Sequence, residues 1–284
     1  MGRLIDIGDT CLHVEERGHG EFAVIALHGG PGLDHTEFGW WLDPLADDHR
    51  LVLVDQRSQG RSLPSPPETW TLERYAADVE ALAGALGLER YVVLGHSFGA
   101  FVALRHAIDF PGRPAGTIVS AGVPSARWLE GVERELEIFE PADLRAQVRS
   151  AWAREADAAT QEDVRSLLFD QLPFHFADPR SPRIEDVRIA MVGAVYAPDV
   201  LRAAAAAGTY GGLDVEDRLG AVSHPLLVIS GRHDRVTPPG AGEAIAAGVP
   251  GAELVVLEDS AHMAFIEQPG EYLEAVGAFL ARVG

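Results

Sequence analysis

A serine set between two glycines is the first residue whose surroundings suggest chemistry. Ser97 is flanked by Gly95 and Gly99, follows an apolar, strand-forming run at residues 91–94, and precedes apolar residues at helical spacing. This pattern predicts a sharp strand-to-helix turn that holds the serine at a strained backbone position and exposes its hydroxyl. Such a hydroxyl could act as a nucleophile. An ordinary helix N-cap is also a common role for serine, so this stretch alone leaves both roles open.

A nucleophilic serine needs a general base, and the base needs a carboxylate that orients it. Asp234 comes shortly after an apolar run at residues 226–230, and His262 comes shortly after another at residues 254–257. Both therefore follow predicted strands, as Ser97 does. We expect His262 to take the proton of Ser97, and Asp234 to fix the tautomer of His262 and stabilise its imidazolium form.

Four other residues compete for the roles of base and acid. His96 and His233 adjoin the candidate nucleophile and the candidate acid, but neighbours on a tight turn point in different directions. Asp55 follows an earlier predicted strand, and Asp259 is close to His262 in sequence, so both are alternative acids.

The candidates all follow strands of one predicted sheet. Strands are predicted at residues 22–27, 51–54, 91–94, 116–120, 225–230 and 253–257, after an N-terminal hairpin of residues 3–7 and 11–16 that suits a sheet edge. Helical periodicity begins after Thr71, a predicted N-cap, and recurs at residues 270–283. Strands that alternate with helices favour parallel pairing through right-handed crossovers. The predicted fold class is α/β, with a mostly parallel central sheet, flanking helices and loops gathered at the carboxyl ends of the strands.

Between residues 124 and 220 the pattern changes to helices without strands. Helices are predicted at residues 128–140, 142–156, 162–172 and 184–207. We interpret residues 124–220 as a helical cap inserted into an α/β core made of residues 1–123 and 221–284. The charged residues of this cap are expected to be solvated helix faces. Near its end, Gly208, Gly211 and Gly212 are expected to form surface turns or hinges.

Charge and composition exclude several classes of function. The formal net charge is -20 at pH 7, and all 23 basic residues are arginine. A charge of this sign repels phosphate backbones and anionic membrane surfaces, so we expect neither a nucleic acid nor a membrane as partner. The lack of lysine excludes Schiff-base chemistry, a Ser-Lys dyad and a Walker-type phosphate loop. No apolar run is long enough to span a bilayer and no signal pattern is present, so we expect a cytoplasmic protein.

The metal-ligating and thiol residues indicate no cofactor. The 11 histidines show no His-Glu-x-x-His or similar spacing, which argues against a metal site. Cys11 is the single cysteine and lies in a predicted strand, so we expect neither an internal disulfide nor a reactive thiol. Hydrolysis by serine, histidine and aspartate requires no cofactor, and none is predicted.

Five motifs resemble the proline iminopeptidase (prolyl aminopeptidase) family of α/β-hydrolases. They are His28-Gly-Gly-Pro-Gly32, Asp55-Gln-Arg57, Gly-His-Ser97-Phe-Gly, Gly-Arg-His-Asp234 and His262. Their order of serine, acid and histidine is that of α/β-hydrolases. The resemblance covers nearly the whole chain and implies an α/β-hydrolase fold with a helical cap. Many members instead carry Gly-Gly-Ser-Trp-Gly around the serine and Asp-Gln-Arg-Gly-x-Gly-x-Ser after the earlier strand. Both forms are compatible with hydrolysis.

The same resemblance implies where an oxyanion would bind. The donors would be the backbone N–H groups of Gly30 and Phe98, each worth about 10²- to 10³-fold in rate. The residues that support this loop are His28, Gly29, Pro31 and Gly32. Glycines allow the backbone to approach a ligand closely, and His28 is expected to order the loop through hydrogen bonds.

The resemblance further implies a serine hydrolase that releases N-terminal proline from short peptides or amides through an acyl-enzyme. The same machinery would serve a carboxylesterase or a lactonase acting on small apolar esters. An alternative of another class is a non-catalytic α/β-hydrolase that binds a ligand in the cap cleft. The partner is thus expected to be a small molecule or short peptide, while homo-oligomerisation stays open. Acidic cap residues capture the substrate amine in this family; the candidates are Asp199, Asp214, Glu216 and the glutamates between residues 133 and 140.

Overall fold

The computed structural model describes residues 2–207 and 213–284, whose strands form an eight-stranded sheet. The strands are β1 (Arg3–Asp6), β2 (Cys11–Arg17), β3 (Ala23–Leu27), β4 (Arg50–Val54), β5 (Tyr91–His96), β6 (Gly116–Ser120), β7 (Leu226–Gly231) and β8 (Glu253–Leu257). Their order across the sheet is β1-β2-β4-β3-β5-β6-β7-β8. The pairs β1–β2 and β2–β4 are antiparallel and the others are parallel. The predicted α/β class is confirmed, and the N-terminal hairpin lies at a sheet edge as predicted.

Helices connect the parallel strands and supply the region between β6 and β7. They are α1 (Leu72–Ala85), α2 (Phe98–Asp109), α3 (Val132–Ile138), α4 (Ala142–Trp152), α5 (Gln161–His175), α6 (Arg183–Ala190), α7 (Pro198–Ala207), α8 (Pro239–Gly248), α9 (Ala264–Glu267) and α10 (Pro269–Val283). Thr71 caps α1 as predicted, because its side chain accepts a hydrogen bond from the backbone N–H of Arg74.

The central strands are buried because helices cover both faces of the sheet. Every residue of β3, β5, β6 and β7 is buried. On β3, Ile25 packs with α1 and α2, whereas Val24 and Ala26 face the opposite layer, which contains Phe279 of α10. This explains why these strands read as continuous apolar runs rather than as alternating ones.

The region between β6 and β7 contains helices, as predicted, but their ends differ. The helix predicted at residues 128–140 is wrong in length, because a 3₁₀ turn at Ala126–Leu129 precedes the short α3. The helix predicted at 142–156 ends at Trp152, and that at 162–172 extends to His175 with Pro173 inside it. The single helix predicted at 184–207 is also wrong. It is two helices, α6 and α7, separated where Gly193 adopts a positive φ of 84° and before Pro198.

Three sequence predictions remain, and they concern the glycines after α7, membrane-spanning helices and the cap. Gly208, Gly211 and Gly212, predicted as turns or hinges, lie outside the described residues. No helix in the described ranges combines the length and the apolar character needed to cross a bilayer. We retain as a proposal that residues 124–220 form a cap on the core.

The turn between β5 and α2 is packed backbone to backbone. A Cβ atom added at Gly99 would lie 2.1 Å from the carbonyl oxygen of Leu27, and one added at Gly95 would lie 2.1 Å from the carbonyl oxygen of Gly99. Backbone atoms cannot move aside as a flexible side chain can. Glycine at position 99 therefore allows the start of α2 to lie against the end of β3, and glycine at position 95 allows it to lie against the end of β5.

Replacing Gly99 tests this packing directly. We expect Gly99→Ala to lower the free energy of unfolding by about 1–3 kcal/mol, because the added methyl group must push two backbone segments apart. Chemical denaturation measures the change. Gly277→Ala in α10 is the matched control, since a Cβ atom there meets nothing within 4 Å and alanine favours a helix. Equal stability of Gly99→Ala and the wild type would contradict the packing argument.

Candidate active site

Ser97 occupies the turn between β5 and α2 in a conformation that is rare for residues other than glycine. Its φ is 52° and its ψ is -118°. The side chain makes no capping hydrogen bond to α2, so the alternative of an ordinary N-cap does not describe it. Instead, the backbone of Ser97 is fixed because its N–H donates to the carbonyl oxygen of Ser120, at 3.0 Å. A strained residue held on both sides by regular structure is typical of a functional site.

The hydroxyl of Ser97 contacts the predicted base. His262 Nε2 lies 2.9 Å from Ser97 Oγ, and His262 Nδ1 lies 2.9 Å from Asp234 Oδ2. With Nδ1 donating to the carboxylate, Nε2 is free of a proton and can accept one from the serine. The structure thus brings together the three side chains that were predicted from the ends of three strands.

Asp234 is held in place by its own loop. Its Oδ1 accepts from the backbone N–H groups of Val236 and Thr237, at 2.8 and 2.9 Å, and its Oδ2 accepts from the Thr237 hydroxyl at 2.6 Å. Burial alone would raise the pKa of Asp234, but the charge of His262 and these hydrogen bonds outweigh it and lower the pKa. The carboxylate is therefore ionised and fixed in orientation at neutral pH.

The environment of His262 favours its protonated form. The residue is 3% exposed, and burial alone would lower its pKa. The charge of Asp234 and its hydrogen bond reverse this effect and raise the pKa, with smaller contributions from Glu37 and Glu267. A base whose imidazolium form is stabilised can take the serine proton at a lower energetic cost.

The rival residues lie elsewhere or lack the required contacts. His96 is fully buried behind His262, with ring centroids 5.1 Å apart, and burial lowers its pKa well below the usual range. His233 is exposed, and Asp259 is exposed as well. Asp55 is buried but contacts His35 rather than His262. Within the described residues, the side chain that hydrogen-bonds to the Ser97 hydroxyl is that of His262 and none of these four.

A further residue near the base comes from the cap region. The backbone N–H of His262 donates to the carbonyl oxygen of His175 at 3.0 Å, and their rings lie 5.2 Å apart. His175 ends α5, and burial lowers its pKa to about 4, so it is neutral at pH 7. The sequence did not indicate this contact, because α5, which is far away in the chain, supplies it.

The glycine-rich loop after β3 lies beside Ser97 and is held by buried side chains. His28 Nδ1 lies 2.7 Å from the carbonyl oxygen of Gly29, and its Nε2 accepts from the backbone N–H of Gln56 at 3.2 Å. The backbone N–H of Gly32 donates to Gln59 at 2.6 Å. Hydrogen bonds thus connect His28 with Gly29 and Gln56, and its support of an oxyanion loop stays a prediction.

The oxyanion donors stay a prediction, and the geometry is compatible with them. Gly30 lines the same cavity as Ser97 and has a φ of 111°, which favours glycine. Phe98 directly follows Ser97 and begins α2, and Pro31 also lines the cavity. A Cβ atom added at Gly29 would lie 3.2 Å from Ser97 Cβ, so the loop and the serine turn meet closely.

The cavity at Ser97 is small and mostly apolar. Its volume is about 280 Å³, at the lower end of the range for small-molecule sites. Its floor contains Ser97 and His262, and its upper wall comes from helices between β6 and β7. The apolar wall residues include Trp152, Val164, Leu167, Leu168, Leu172 and Leu201. The arrangement can accept a small, largely apolar carbonyl compound.

Two carboxyl groups line this cavity, and neither was among the predicted amine-binding residues. Glu37 follows the glycine-rich loop, and Glu155 lies between β6 and β7, where it accepts from Gln171 Nε2 at 2.6 Å. Burial raises the pKa of Glu155, and it raises that of Glu37 to about 7. Their positions depend on chain segments folding back over Ser97, and local sequence carries no signal for that.

The predicted amine-binding candidates lie outside the cavity. Asp199 pairs with Arg202, and Glu216 pairs with Arg127 and accepts from Ser125. Asp214 and the glutamates at 133, 137 and 140 are exposed, while Glu135 lines a different groove. The expectation that such residues are solvated fits the exposed ones, whereas Asp199 and Glu216 form ion pairs that were not predicted.

One group of potential metal ligands, His13, His35 and Asp55, lies together in the described residues. Asp55 already accepts from the backbone N–H and the Nδ1 of His35, at 2.9 and 2.5 Å, and from the backbone N–H of Arg61 at 2.8 Å. Burial would raise the pKa of Asp55, but the contacts with His13 and His35 lower it. These donors already satisfy the carboxylate oxygens of Asp55. The cluster of His13, His35 and Asp55 therefore fits a structural role better than a metal site.

Comparison with known proteins places this geometry in context. A family model described as "alpha/beta hydrolase fold" matches residues 23–269. A proline iminopeptidase from Heyndrickxia coagulans is 29% identical over 94% of this chain and 92% of its own length. The crystal structure of a proline iminopeptidase from Mycobacterium smegmatis superposes with a TM-score of 0.77 at 26% identity, covering 100% of this chain and 98% of the other.

An esterase is similar to the chain over the same extent. A thermophilic esterase from Thermogutta terrifontis superposes with a TM-score of 0.71 at 28% identity, covering 100% of this chain and 99% of the other. The resemblance to proteins of both kinds spans core and cap region alike.

Removing the Ser97 hydroxyl tests its role. We expect Ser97→Ala to reduce turnover of any ester or amide substrate by about 10⁴- to 10⁶-fold, because no acyl-enzyme can form. Steady-state kinetics measures this, and a thermal melt checks that the variant is folded. If most activity survived in the folded variant, the nucleophile would be another residue.

The pH dependence should report the raised pKa of His262. Below that pKa the imidazole is protonated and cannot accept the serine proton, so kcat/KM should fall as the pH drops through it. We expect the midpoint of this acid limb at or above about 6.5, the usual value for a free imidazole. A midpoint well below that value would contradict the stabilisation of the imidazolium by Asp234.

Proposed function

The chain belongs to the alpha/beta hydrolase fold family and is a hydrolase, and on that premise we propose that it cleaves its substrate through an acyl-enzyme on Ser97. The support is the contact of Ser97 Oγ with His262 Nε2, and of His262 Nδ1 with Asp234, in a cavity that can hold a small substrate.

The reaction begins when Ser97 Oγ attacks the substrate carbonyl carbon and His262 Nε2 takes the hydroxyl proton. The carbonyl oxygen becomes an oxyanion, which the backbone N–H groups of Gly30 and Phe98 stabilise. When the tetrahedral intermediate collapses, His262 gives its proton to the leaving amine or alcohol. The acyl group then remains on Ser97.

Water completes the cycle by the same steps in reverse order. His262 takes a proton from the water, whose oxygen attacks the acyl carbon, and then returns the proton to Ser97 Oγ as the acid product leaves. Asp234 stays ionised throughout and stabilises the imidazolium that forms twice in each turnover. The low exposure of His262 and Asp234 strengthens this interaction.

For the substrate we propose a short peptide or amide with an N-terminal proline. The observation that carries this proposal is the carboxyl group of Glu155, which lies in the cap wall of the cavity and has no arginine partner in the described chain. The protonated amine of a substrate would supply the missing positive charge. The surrounding apolar wall suits the pyrrolidine ring, and the small cavity volume disfavours long substrates.

A carboxylesterase or lactonase acting on small apolar esters is the second candidate. It is favoured by the apolar wall of the cavity and by the burial of Glu155, which raises its pKa and so favours the uncharged form. Both functions use the same mechanism, since only the leaving group differs. A non-catalytic ligand-binding role is a third possibility, in which the wild type would turn over neither kind of substrate.

Paired assays on a proline amide and a matched ester separate these functions. We expect the wild type to hydrolyse proline p-nitroanilide, and Glu155→Gln to lower kcat/KM for it by about 10- to 100-fold, since a hydrogen bond to a charged group is lost. Hydrolysis of p-nitrophenyl acetate should change by less than about threefold, because that ester has no amine.

Glu162→Gln, an exposed cap variant whose parent residue pairs with Arg165, serves as the matched control and should behave as the wild type. Turnover of the ester without release of p-nitroaniline from the proline amide would contradict the peptidase proposal and favour the esterase. Equal effects of Glu155→Gln on both substrates would show that Glu155 does not bind an amine.

A further inference from the structure

Glu37 is a buried acidic residue at the active site that the proposed mechanism does not use. It lies in a 3₁₀ turn, His35–Phe38, after the glycine-rich loop, and is only 5% exposed. Its Oε2 accepts a hydrogen bond from the backbone N–H of Gly29 at 2.5 Å. In the ionised form of Glu37 this bond is charge-assisted, and such bonds are the strong ones. Glu37 therefore holds the backbone of Gly29, the residue before Gly30, in place.

Three groups converge at this point. A Cβ atom added at Gly29 would lie 2.8 Å from Glu37 Oε1 and 3.2 Å from Ser97 Cβ. Glu37 also lines the cavity together with Gly30, Ser97 and His262. The carboxyl group, the glycine-rich loop and the nucleophile thus lie close together. A displacement of one of them therefore affects the positions of the other two.

Glu37 lacks a cation of its own. Within residues 2–207 and 213–284, no arginine pairs with its carboxylate, although nearby acids such as Asp34 have such partners. Burial raises its pKa to about 7, against the hydrogen bond from Gly29 and the charge of His262, both of which lower it. The other charged or titratable groups that face it are Asp34 on its own turn, and Glu155 and His175 across the cavity.

We propose that Glu37 is a positioning residue: its hydrogen bond to Gly29 holds the Gly29–Gly30 backbone in place for oxyanion binding, and its carboxyl group lines the same cavity as Ser97 and His262. This inference rests on the proposed function of Ser97 and His262. Unlike Asp234, Glu37 makes no hydrogen bond to the imidazole in the structure, so it acts on His262 through space and on the oxyanion through Gly29.

The negative charge of Glu37 affects the pKa of His262. An ionised Glu37 favours the imidazolium form of His262. Glu37 is therefore one of the groups that raise the pKa of this histidine. Removing the negative charge lowers that pKa, so the base stays neutral and active at lower pH. The acid limb of kcat/KM should then move to lower pH.

Two substitutions separate the charge effect from the hydrogen bond. Glu37→Gln has nearly the same shape and keeps a carbonyl oxygen that can accept from Gly29, but it has no charge. We expect its acid limb to lie at lower pH than that of the wild type, with a modest loss of kcat at high pH. Glu37→Leu removes the acceptor as well, and we expect a loss of kcat of about 10-fold or more with little change in KM, because the oxyanion donor is displaced.

The experiment measures kcat and KM for one ester substrate from about pH 5 to 9, for wild type, both Glu37 variants, Ser97→Ala and Glu80→Gln. Glu80 is a carboxylate on α1 that pairs with Arg113 away from the cavity, so its variant should keep the wild-type profile. If Glu37→Leu does not fold, Glu37→Gln decides, because it is isosteric with the native residue.

An acid limb of Glu37→Gln that coincides with that of the wild type would overturn the proposal, as would full kcat in folded Glu37→Leu. In both cases an inactive Ser97→Ala would leave the proposed function intact. Activity that survives in Ser97→Ala would instead refute the proposed function itself.

Discussion

The site depends on the close contact of three backbone segments at the end of the sheet. The start of α2 can approach the end of β3 because Gly99 has no side chain, and it can approach the end of β5 because Gly95 has none. A Cβ atom at either glycine would lie 2.1 Å from a carbonyl oxygen. This contact leaves Ser97 in a conformation with φ of 52° that an isolated turn would not keep. It also places the glycine-rich loop beside the serine, so the nucleophile and the proposed oxyanion donors share one rigid support.

Buried charge around this support is arranged in two different ways. Asp234 accepts hydrogen bonds from two backbone N–H groups, a hydroxyl and His262, so its carboxylate is satisfied and ionised. Glu37 and Glu155 line the cavity with fewer partners, and burial raises the pKa of both. A fully satisfied carboxylate fixes geometry, whereas a poorly satisfied one is poised to respond to a ligand or to pH. The cavity therefore combines a rigid base with two carboxyl groups that can change charge.

The positions of the buried strands and the three side chains at Ser97 were predictable because they depend on local pattern. Each buried strand reads as an apolar run, and parallel strands bring the residues that follow them to one edge. The cavity wall was not predictable in the same way. Glu155 and His175 reach the site only through tertiary packing of the helical region between β6 and β7. A helix was predicted across residues 184–207 because the alanine-rich sequence outweighed the signal of Gly193. Helix α8 was missed, since its Gly- and Ala-rich sequence follows two prolines and carries little amphipathic pattern.

The central claim is that Ser97 is the nucleophile and that His262 activates it. Covalent trapping with a fluorophosphonate, followed by mass spectrometry of the proteolytic peptides, tests this most directly. The account predicts a single phosphonyl adduct on Ser97 in the wild type, and much slower labelling when His262 is replaced by alanine. An adduct on another residue, or no adduct on Ser97 in the folded wild-type protein, would contradict it.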